Sequence, residues 1–324
     1  MGRCGLPRYR QGLTAVSNVK IAAIVPCHNE AGAIGKVVTD LQASLPTATI
    51  YVYDNCSDDN TAEVARAAGA VVRFEDRKGK GNVIRRAFAD IDADVYVLID
   101  GDDTYDAAAA PELINKLLDG PYDQVTGVRR QESDSAYRSG HELGNRFFNG
   151  IVGLIFGYKV EDMLSGYRVF SKRFVRSFPA LSRGFEIETE LTVHSISARI
   201  PQAELPIAFR DRAEGTESKL RTYHDGQRIL RTVLKLALHE RPVPTYGLIS
   251  GVLAVVALIL GLPIIVEFVD TGLVPRLPTA LLASSLVILA VLAMISGTLM
   301  DVLKKMRDES SRLAYLSWEV VGHG

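Results

Sequence analysis

Short apolar runs alternate with stretches of helical periodicity along the first 120 residues. Ile21 to Val25 is continuously apolar and ends at Pro26. Ile34, Val37, Val38, Leu41 and Leu45 then recur at i, i+3, i+4, i+7 and i+11, which predicts an amphipathic helix. A second strand, Ile50 to Tyr53, ends at Asp54, and Asn55 to Thr61 carries turn and N-cap chemistry. The helix after it closes at Gly69, and Val71 to Phe74 is a third strand. The basic, glycine-rich segment Arg77 to Asn82 leads through another helix to Val95 to Ile99, a fourth. Uniformly apolar strands are buried on both faces, and the order βαβαβαβ predicts a parallel sheet with right-handed crossovers.

From about Asp123 the pattern changes. Gln124 to Arg129 reads as a strand delivering Arg129 to the same sheet edge, and Arg138 to Gly157 as a helix carrying His141, Asn145 and Arg146. Glu161 to Arg168 is turn-rich, and Gly184 to Glu190 opens a helix. Its glutamates suit a helix N-terminus; Glu186 and Glu190 share one face, with Glu188 well round from them. Ile200 to Arg210 reads as an edge strand, and Glu214 to Leu220 as a flexible loop bearing hydroxyls and a lysine.

Beyond residue 220 the chain turns strongly apolar. An apolar stripe (Ile229, Leu230, Val233, Leu234, Ala237, Leu238) opposes a basic one (Arg228, Arg231, Lys235, His239), as in helices lying at a membrane interface. Thr245 to Val266 and Leu277 to Met300 carry no charge and are long enough to span a bilayer. The basic flanks, Arg231, Lys235 and Arg241 before and Lys304, Lys305 and Arg307 after, place both outer ends in the cytoplasm. A buried helical hairpin in a soluble domain is the alternative. The expected organisation is a basic leader (1–18), a cytoplasmic domain (19–220), an amphipathic interface region (221–242), a two-helix hairpin (243–300) and a cytoplasmic interface helix (301–324).

Composition adds exclusions. The formal net charge of −1 provides no field that would draw nucleic acid. Three scattered cysteines without C-x-x-C give no disulfide framework, which fits a reducing compartment. The leader carries Arg3, Arg8 and Arg10 without the apolar core of a secretory signal.

Candidate chemistry gathers at strand ends. Glu30, Asp54, Lys78, Lys80, Asp100 and Asp102 each fall just past a carboxyl end, where open α/β sheets bind ligands. In Asp100-Gly101-Asp102-Asp103, two carboxylates about 4 Å apart repel by roughly 4 kcal/mol at an effective dielectric of about 20 unless a cation intervenes. Hard oxygens on a short turn suit Mg²⁺ or Mn²⁺ beside a diphosphate. A solvated acidic turn, with Asp103 or Asp106 capping the next helix, is the plainer reading. Neither a P-loop nor a helix-opening G-x-G-x-x-G is present.

Taken together, Val25 to Glu30, Asp54 to Thr61, Lys78 to Gly81, Asp100 to Asp102, Ser165 to Arg168 and Ser218 to Leu220 resemble motifs of the inverting family-two glycosyltransferases. Within that family the likeness is to polyisoprenyl-phosphate glycosyltransferases akin to dolichol-phosphate mannose synthase and bacterial undecaprenyl-phosphate glucosyltransferases. The resemblance implies a GT-A-like, Rossmann-related nucleotide-diphospho-sugar transferase domain followed by interface helices and two spans. Pro26, His28, Glu30, Asp54 and Lys80, with Gly101, would bind a UDP- or GDP-linked sugar. Asp100 and Asp102, with Thr104, would meet Mg²⁺ or Mn²⁺ and the diphosphate. Arg129 and Arg168 would be catalytic and, with Ser218 and Lys219, would meet the acceptor, an undecaprenyl or dolichyl phosphate. Two departures stand out: His28 replaces a common tyrosine, and Asn55 a frequent second aspartate. The expected setting is the inner membrane, with a homo-oligomer compatible. A processive polysaccharide synthase is disfavoured by two spans and by Trp318 as the only tryptophan. The intact carboxylate set argues against a non-catalytic nucleotide-sugar-binding platform.

Overall fold

The computed structural model describes residues 19–131, 161–184, 186–210 and 241–319. They fall into two compact units, one holding the described residues up to Arg210 together with 311–319, the other 241–310.

The first unit is built on a seven-stranded sheet. Strands β1 (Ile21–Cys27), β2 (Thr49–Asp54), β3 (Val71–Phe74) and β4 (Val95–Leu98) alternate with helices α1 (Ile34–Ser44), α2 (Thr61–Ala67) and α3 (Lys80–Asp90). Helix α4 (Ala110–Asp119) then leads to β5 (Gln124–Gln131); β6 (Arg168–Ser171), α5 (Lys172–Ser177), α6 (Ile187–Ser197) and β7 (Gln202–Phe209) complete the unit. The sheet order is β3-β2-β1-β4-β6-β5-β7. The first four strands are mutually parallel, as the alternation predicts. The chain leaves β1 toward β2 and later returns to its other side at β4, so the topological switch lies between the carboxyl ends of β1 and β4.

Burial explains the apolar runs. Ile21, Ala23 and Val25 face a core formed with Ile34, Val37, Val38 and Leu41 of α1 and Leu113, Ile114 and Leu117 of α4. Ala22 and Ile24 face a second core formed with Val83, Ile84, Ala87 and Phe88 of α3 and with Phe170, Phe174 and Leu191. Both faces are covered, so a strand shows no polar alternation.

The sheet departs from expectation at β6, which runs antiparallel to both β4 and β5 and starts on the last residue of the stretch read as turn. Its four residues open on a fully buried arginine, and a charged residue in a short run hides the strand pattern. Strand β7 pairs with β5 at the edge, as expected.

The second unit is two long helices, α7 (Pro242–Thr271) and the part of α8 (Leu277–Leu316) up to residue 310. Their apolar windows have mean hydropathy 2.8 and 2.4 and are only 11% and 17% buried, so they turn apolar side chains outward and are candidate membrane spans. Small residues let the two approach: Gly297 packs on Tyr246, and Gly261 faces Ala283. Residues 301–316 continue α8 without a break rather than forming a separate helix, since neither glycine nor proline interrupts them.

The last turn of α8 belongs to the first unit. Tyr315 is buried; its hydroxyl donates to Asp123 (2.6 Å), and the guanidiniums of Arg173 and Arg312 lie 4.6 and 4.9 Å from its ring centre. Asp123 also accepts from Ser171 Oγ at 2.6 Å and is paired with Arg173.

Phe170 stacks on Phe174 (4.7 Å) and meets Phe88 edge-on (5.9 Å). Phe170→Ala should therefore destabilise the first unit by about 3–5 kcal/mol in denaturant unfolding followed by circular dichroism; a change below about 1 kcal/mol would mean that this cluster does not carry the second core.

Candidate active site

Loops from four strands meet at the switch. After β1, Asn29 and Glu30 are stitched to the β2–α2 turn: Asn29 N donates to Ser57 Oγ (2.9 Å), Glu30 N to Thr61 Oγ1 (2.9 Å), and Asp58 N to Asn29 Oδ1 (2.7 Å). Asp54, buried at the end of β2, accepts from the Ser57 hydroxyl. Pro26, His28 and Glu30 are half-buried along this edge.

Cys27 reports how the acids converge. Burial pushes its thiol pKa well up, and Glu30, Asp54, Asp100 and Asp102 add to that rise. Four carboxylates from three strand ends thus act on one sulfur. A side chain at Gly101 would collide with that sulfur, so the bend after β4 lies directly on β1.

The acidic bend separates its carboxylates by task. Asp103, at φ 57°, turns to Lys36 (2.8 Å), and Asp106 caps the following turn by accepting from Ala108 N (3.2 Å). These two fit the plainer reading. Asp102 Oδ1 accepts from Thr104 Oγ1 (2.6 Å) and Thr104 N (3.2 Å), so the buried threonine fixes that rotamer. Asp100 pairs with Lys80, and Gly166 packs against its carboxylate so closely that a Cβ there would overlap it.

Lys80 lies at the start of α3 and is almost buried. Its ammonium reaches Asp100 and also Glu188 Oε1 at 2.6 Å. Burial pulls the Lys80 pKa down, but the two carboxylates outweigh it and hold the ammonium charged. Burial raises the Glu188 pKa, with Asp100 adding and Lys80 opposing. Glu188 Oε2 is buried without a hydrogen-bond partner. Glu188 is not among the residues expected in the site; its one sequence signal is its position off the Glu186–Glu190 face. Glu190 instead accepts from Leu181 N (2.8 Å) and Ser182 N (2.7 Å), pinning the loop before α6.

The two arginines assigned to phosphates are engaged elsewhere. Arg129 forms a two-pronged pair with buried Asp162 (Nε 2.7 Å, Nη2 2.8 Å) and lies 5.5 Å from the Phe209 ring centre. Burial would raise the Asp162 pKa, but Arg129 outweighs it and keeps the carboxylate below its usual range. Arg168 is fully buried, donating to Ser165 O (3.0 Å), Met163 O (2.6 Å) and Thr192 Oγ1 (2.9 Å). That places it beneath the site as a support for the 163–166 turn rather than at its surface. His141, Asn145, Arg146, Ser218 and Lys219 lie outside the described residues.

The donor set suits a divalent cation. Asp100 and Asp102 offer hard oxygens on one bend; a Mg²⁺ or Mn²⁺ that keeps places for phosphate oxygens needs only one or two protein carboxylates. Among the described residues no three His, Cys, Asp or Glu side chains group as a self-sufficient metal cage.

The family model for Glycosyl transferase family 2 matches residues 22–178. Protein RfbJ of Shigella flexneri is 55% identical over 122 residues, covering 37% of this chain and 95% of that protein. Dolichyl-phosphate hexose transferase of Haloferax volcanii is 29% identical over 221 residues, covering 68% of this chain and 95% of that protein. Glucosyl-3-phosphoglycerate synthase from Mycobacterium tuberculosis, in complex with Mn²⁺, UDP and glucosyl-3-phosphoglycerate, superposes with TM-score 0.57 at 22% identity, covering 72% of this chain and 85% of that one. This last likeness is one of fold.

Lys80→Met leaves Glu188 buried without a cation, so it should lower stability by about 3–5 kcal/mol. Adding Glu188→Gln should restore most of the loss in thermal unfolding. A double variant no more stable than the single one would show that the pair is not the source.

Proposed function

Because the chain belongs to glycosyl transferase family 2, we propose that it moves a hexose from a UDP- or GDP-linked donor to a polyisoprenyl phosphate at the cytoplasmic face of a membrane, with inversion. The observation that carries this reading is the convergence of Glu30, Asp54, Asp100 and Asp102 at the switch point, in a chain that also bears two outward-facing apolar helices. The Haloferax relative, a dolichyl-phosphate hexose transferase, supports the acceptor; the complex of the Mycobacterium protein with UDP and Mn²⁺ supports the donor and cation.

Each residue then has a physical task. The crevice edge formed by Pro26, His28, Glu30 and Asp54 receives the nucleoside. Asp100 and Asp102, the latter fixed by Thr104, would hold Mg²⁺ or Mn²⁺, which would neutralise the diphosphate as it leaves. Lys80 keeps Asp100 oriented and adds positive charge beside the diphosphate. Buried Glu188 holds the Lys80 ammonium toward Asp100. A lipid phosphate is already anionic at neutral pH, so the site needs charge balance more than a general base. Arg129, near the end of β5, would meet that phosphate on leaving Asp162, with Ser218 and Lys219 completing the set; Arg168 serves as a positioning residue.

The division at residues 18, 220 and 242 belongs to the same proposal, with the second span and the segment beyond residue 300 sharing α8. The contact of Tyr315 with Asp123, in the unit that carries the site, supports an even number of crossings between that unit and the end of α8. The basic flanks assign that side to the cytoplasm.

Membranes holding the full chain should transfer label from one member of a panel of radiolabelled UDP- and GDP-sugars into the organic phase. EDTA should abolish the transfer. Asp102→Ala should lower it at least about 100-fold, the range for losing charge stabilisation at a leaving group, with the protein still inserted and folded. Metal-independent transfer by Asp102→Ala would overturn the cation role, and no organic-phase label from any donor would overturn the acceptor. Arg129→Ala should raise the apparent KM for polyisoprenyl phosphate and leave that for the donor near wild type; the reverse pattern would remove Arg129 from the acceptor side.

A further inference from the structure

The β3–α3 loop carries a second feature. Arg77, Lys78, Asn82 and Arg85 line a cleft of about 450 Å³ together with Arg183, from the loop before α6. None of the residues assigned to the donor lines it, and Lys80, in the same loop, is turned to Asp100 and Glu188.

Two loops distant in sequence are locked together to make it. Asn55 Nδ2 donates to Glu75 O (2.7 Å) and Arg77 O (2.8 Å), and its Oδ1 accepts from Gly79 N (2.7 Å). Asn82 Nδ2 donates to Lys78 O (3.1 Å), and Asn82 N to Arg183 O (3.3 Å). Gly79 and Gly81 lie so close to the Arg183 and Ser182 carbonyls that no side chain fits there. Glu190 fixes the other end of that second loop through Leu181 N and Ser182 N.

This scaffold gathers four cations, and among the described residues none of the four is in an ion pair, whereas Arg86, on the same helix as Arg85, is paired with Asp90. The nearby acids are otherwise arranged. Glu75 and Asp76 line an adjoining hollow with Arg77, Arg85 and Arg86, and Glu75 accepts from the Arg77 backbone. Like charges on a rigid concave surface repel, and an anion relieves that; guanidinium forks match phosphate oxygens best.

We propose that this cleft binds a phosphate-bearing anion, apart from the donor pocket. The space exceeds a bare phosphate and takes a diphosphate or a phosphoglycerol headgroup. The proposal does not depend on the transferase reading.

The test is titration calorimetry of the full chain in neutral detergent, without divalent cations. The probes are sodium pyrophosphate, dihexanoyl phosphatidylglycerol and, as control, dihexanoyl phosphatidylcholine. The wild type should bind pyrophosphate or phosphatidylglycerol, and R85Q/R183Q should weaken that binding at least tenfold. R183Q alone, at an exposed position, should weaken it less while keeping the wild-type melting temperature. Pyrophosphate binding alone assigns a free diphosphate; preference for phosphatidylglycerol over phosphatidylcholine assigns a lipid headgroup. Binding of neither anion, equal affinity in wild type and double variant, or equal binding of the two lipids without pyrophosphate binding would overturn the proposal.

Discussion

An ammonium held between two carboxylates sets the geometry of this protein's site. Lys80 opens α3, Asp100 lies on the bend after β4, and Glu188 sits in the first turn of α6. Ion pairs buried this deeply contribute little net stability compared with apolar packing. Their effect here is positional, because each partner comes from a different crossover. An ammonium with two carboxylates leaves a net negative charge in a small volume, which burial penalises through Glu188. Close backbone packing holds that charge in place: Gly166 lies on the Asp100 carboxylate, and Gly79 and Gly81 lie on the 182–183 carbonyls. At these positions a methyl group would displace either a functional carboxylate or the loop that supports it.

A second charged cluster anchors the opposite rim. Strand β5 runs parallel to β4, since both are antiparallel to β6, so Asp123 just before β5 lies at the amino ends of the strands, away from Asp100. There it gathers Ser171, Arg173 and Tyr315. The tail of α8 is thereby fixed to the sheet through one carboxylate, while Trp318 adds Lys172 and Arg176 at 5.5 and 5.7 Å from its ring. The sheet thus has its chemistry at one rim and the last turn of α8 at the other.

Much of this was legible in the sequence where a single physical rule dominates. The doubly covered strands, the α1 stripe and the placement of Asp54, Asp100 and Asp102 past strand ends all follow from period and polarity. What escaped was decided by tertiary partners. Strand β6 begins at Arg168, whose guanidinium is satisfied by hydrogen bonds to carbonyls and a hydroxyl that no local pattern reveals. The same residue read as an anion ligand because its burial was invisible. Glu188 looked like helix-terminus chemistry until Lys80 was found against it. Asn55 departs from an expected aspartate because here its amide clamps the β3–α3 loop: it must donate to the carbonyls of Glu75 and Arg77, and a carboxylate has no N–H to give.

Charge balance ties the site to its proposed substrates. Glu30, Asp54, Asp100, Asp102 and Glu188 surround the crevice, while Lys80 is the one described cation paired within it. Arg129 carries its own carboxylate, Asp162, so it brings no surplus charge unless that pair rearranges. A diphosphate entering such a crevice would meet repulsion from carboxylates held by hydrogen bonds from Thr104 and Ser57 and by the packing of Gly166. A divalent cation on Asp100 and Asp102 would instead convert the same carboxylates from a barrier into a binding surface for the diphosphate. The rigidity of the acidic bend is therefore itself an argument for a cation entering with the donor.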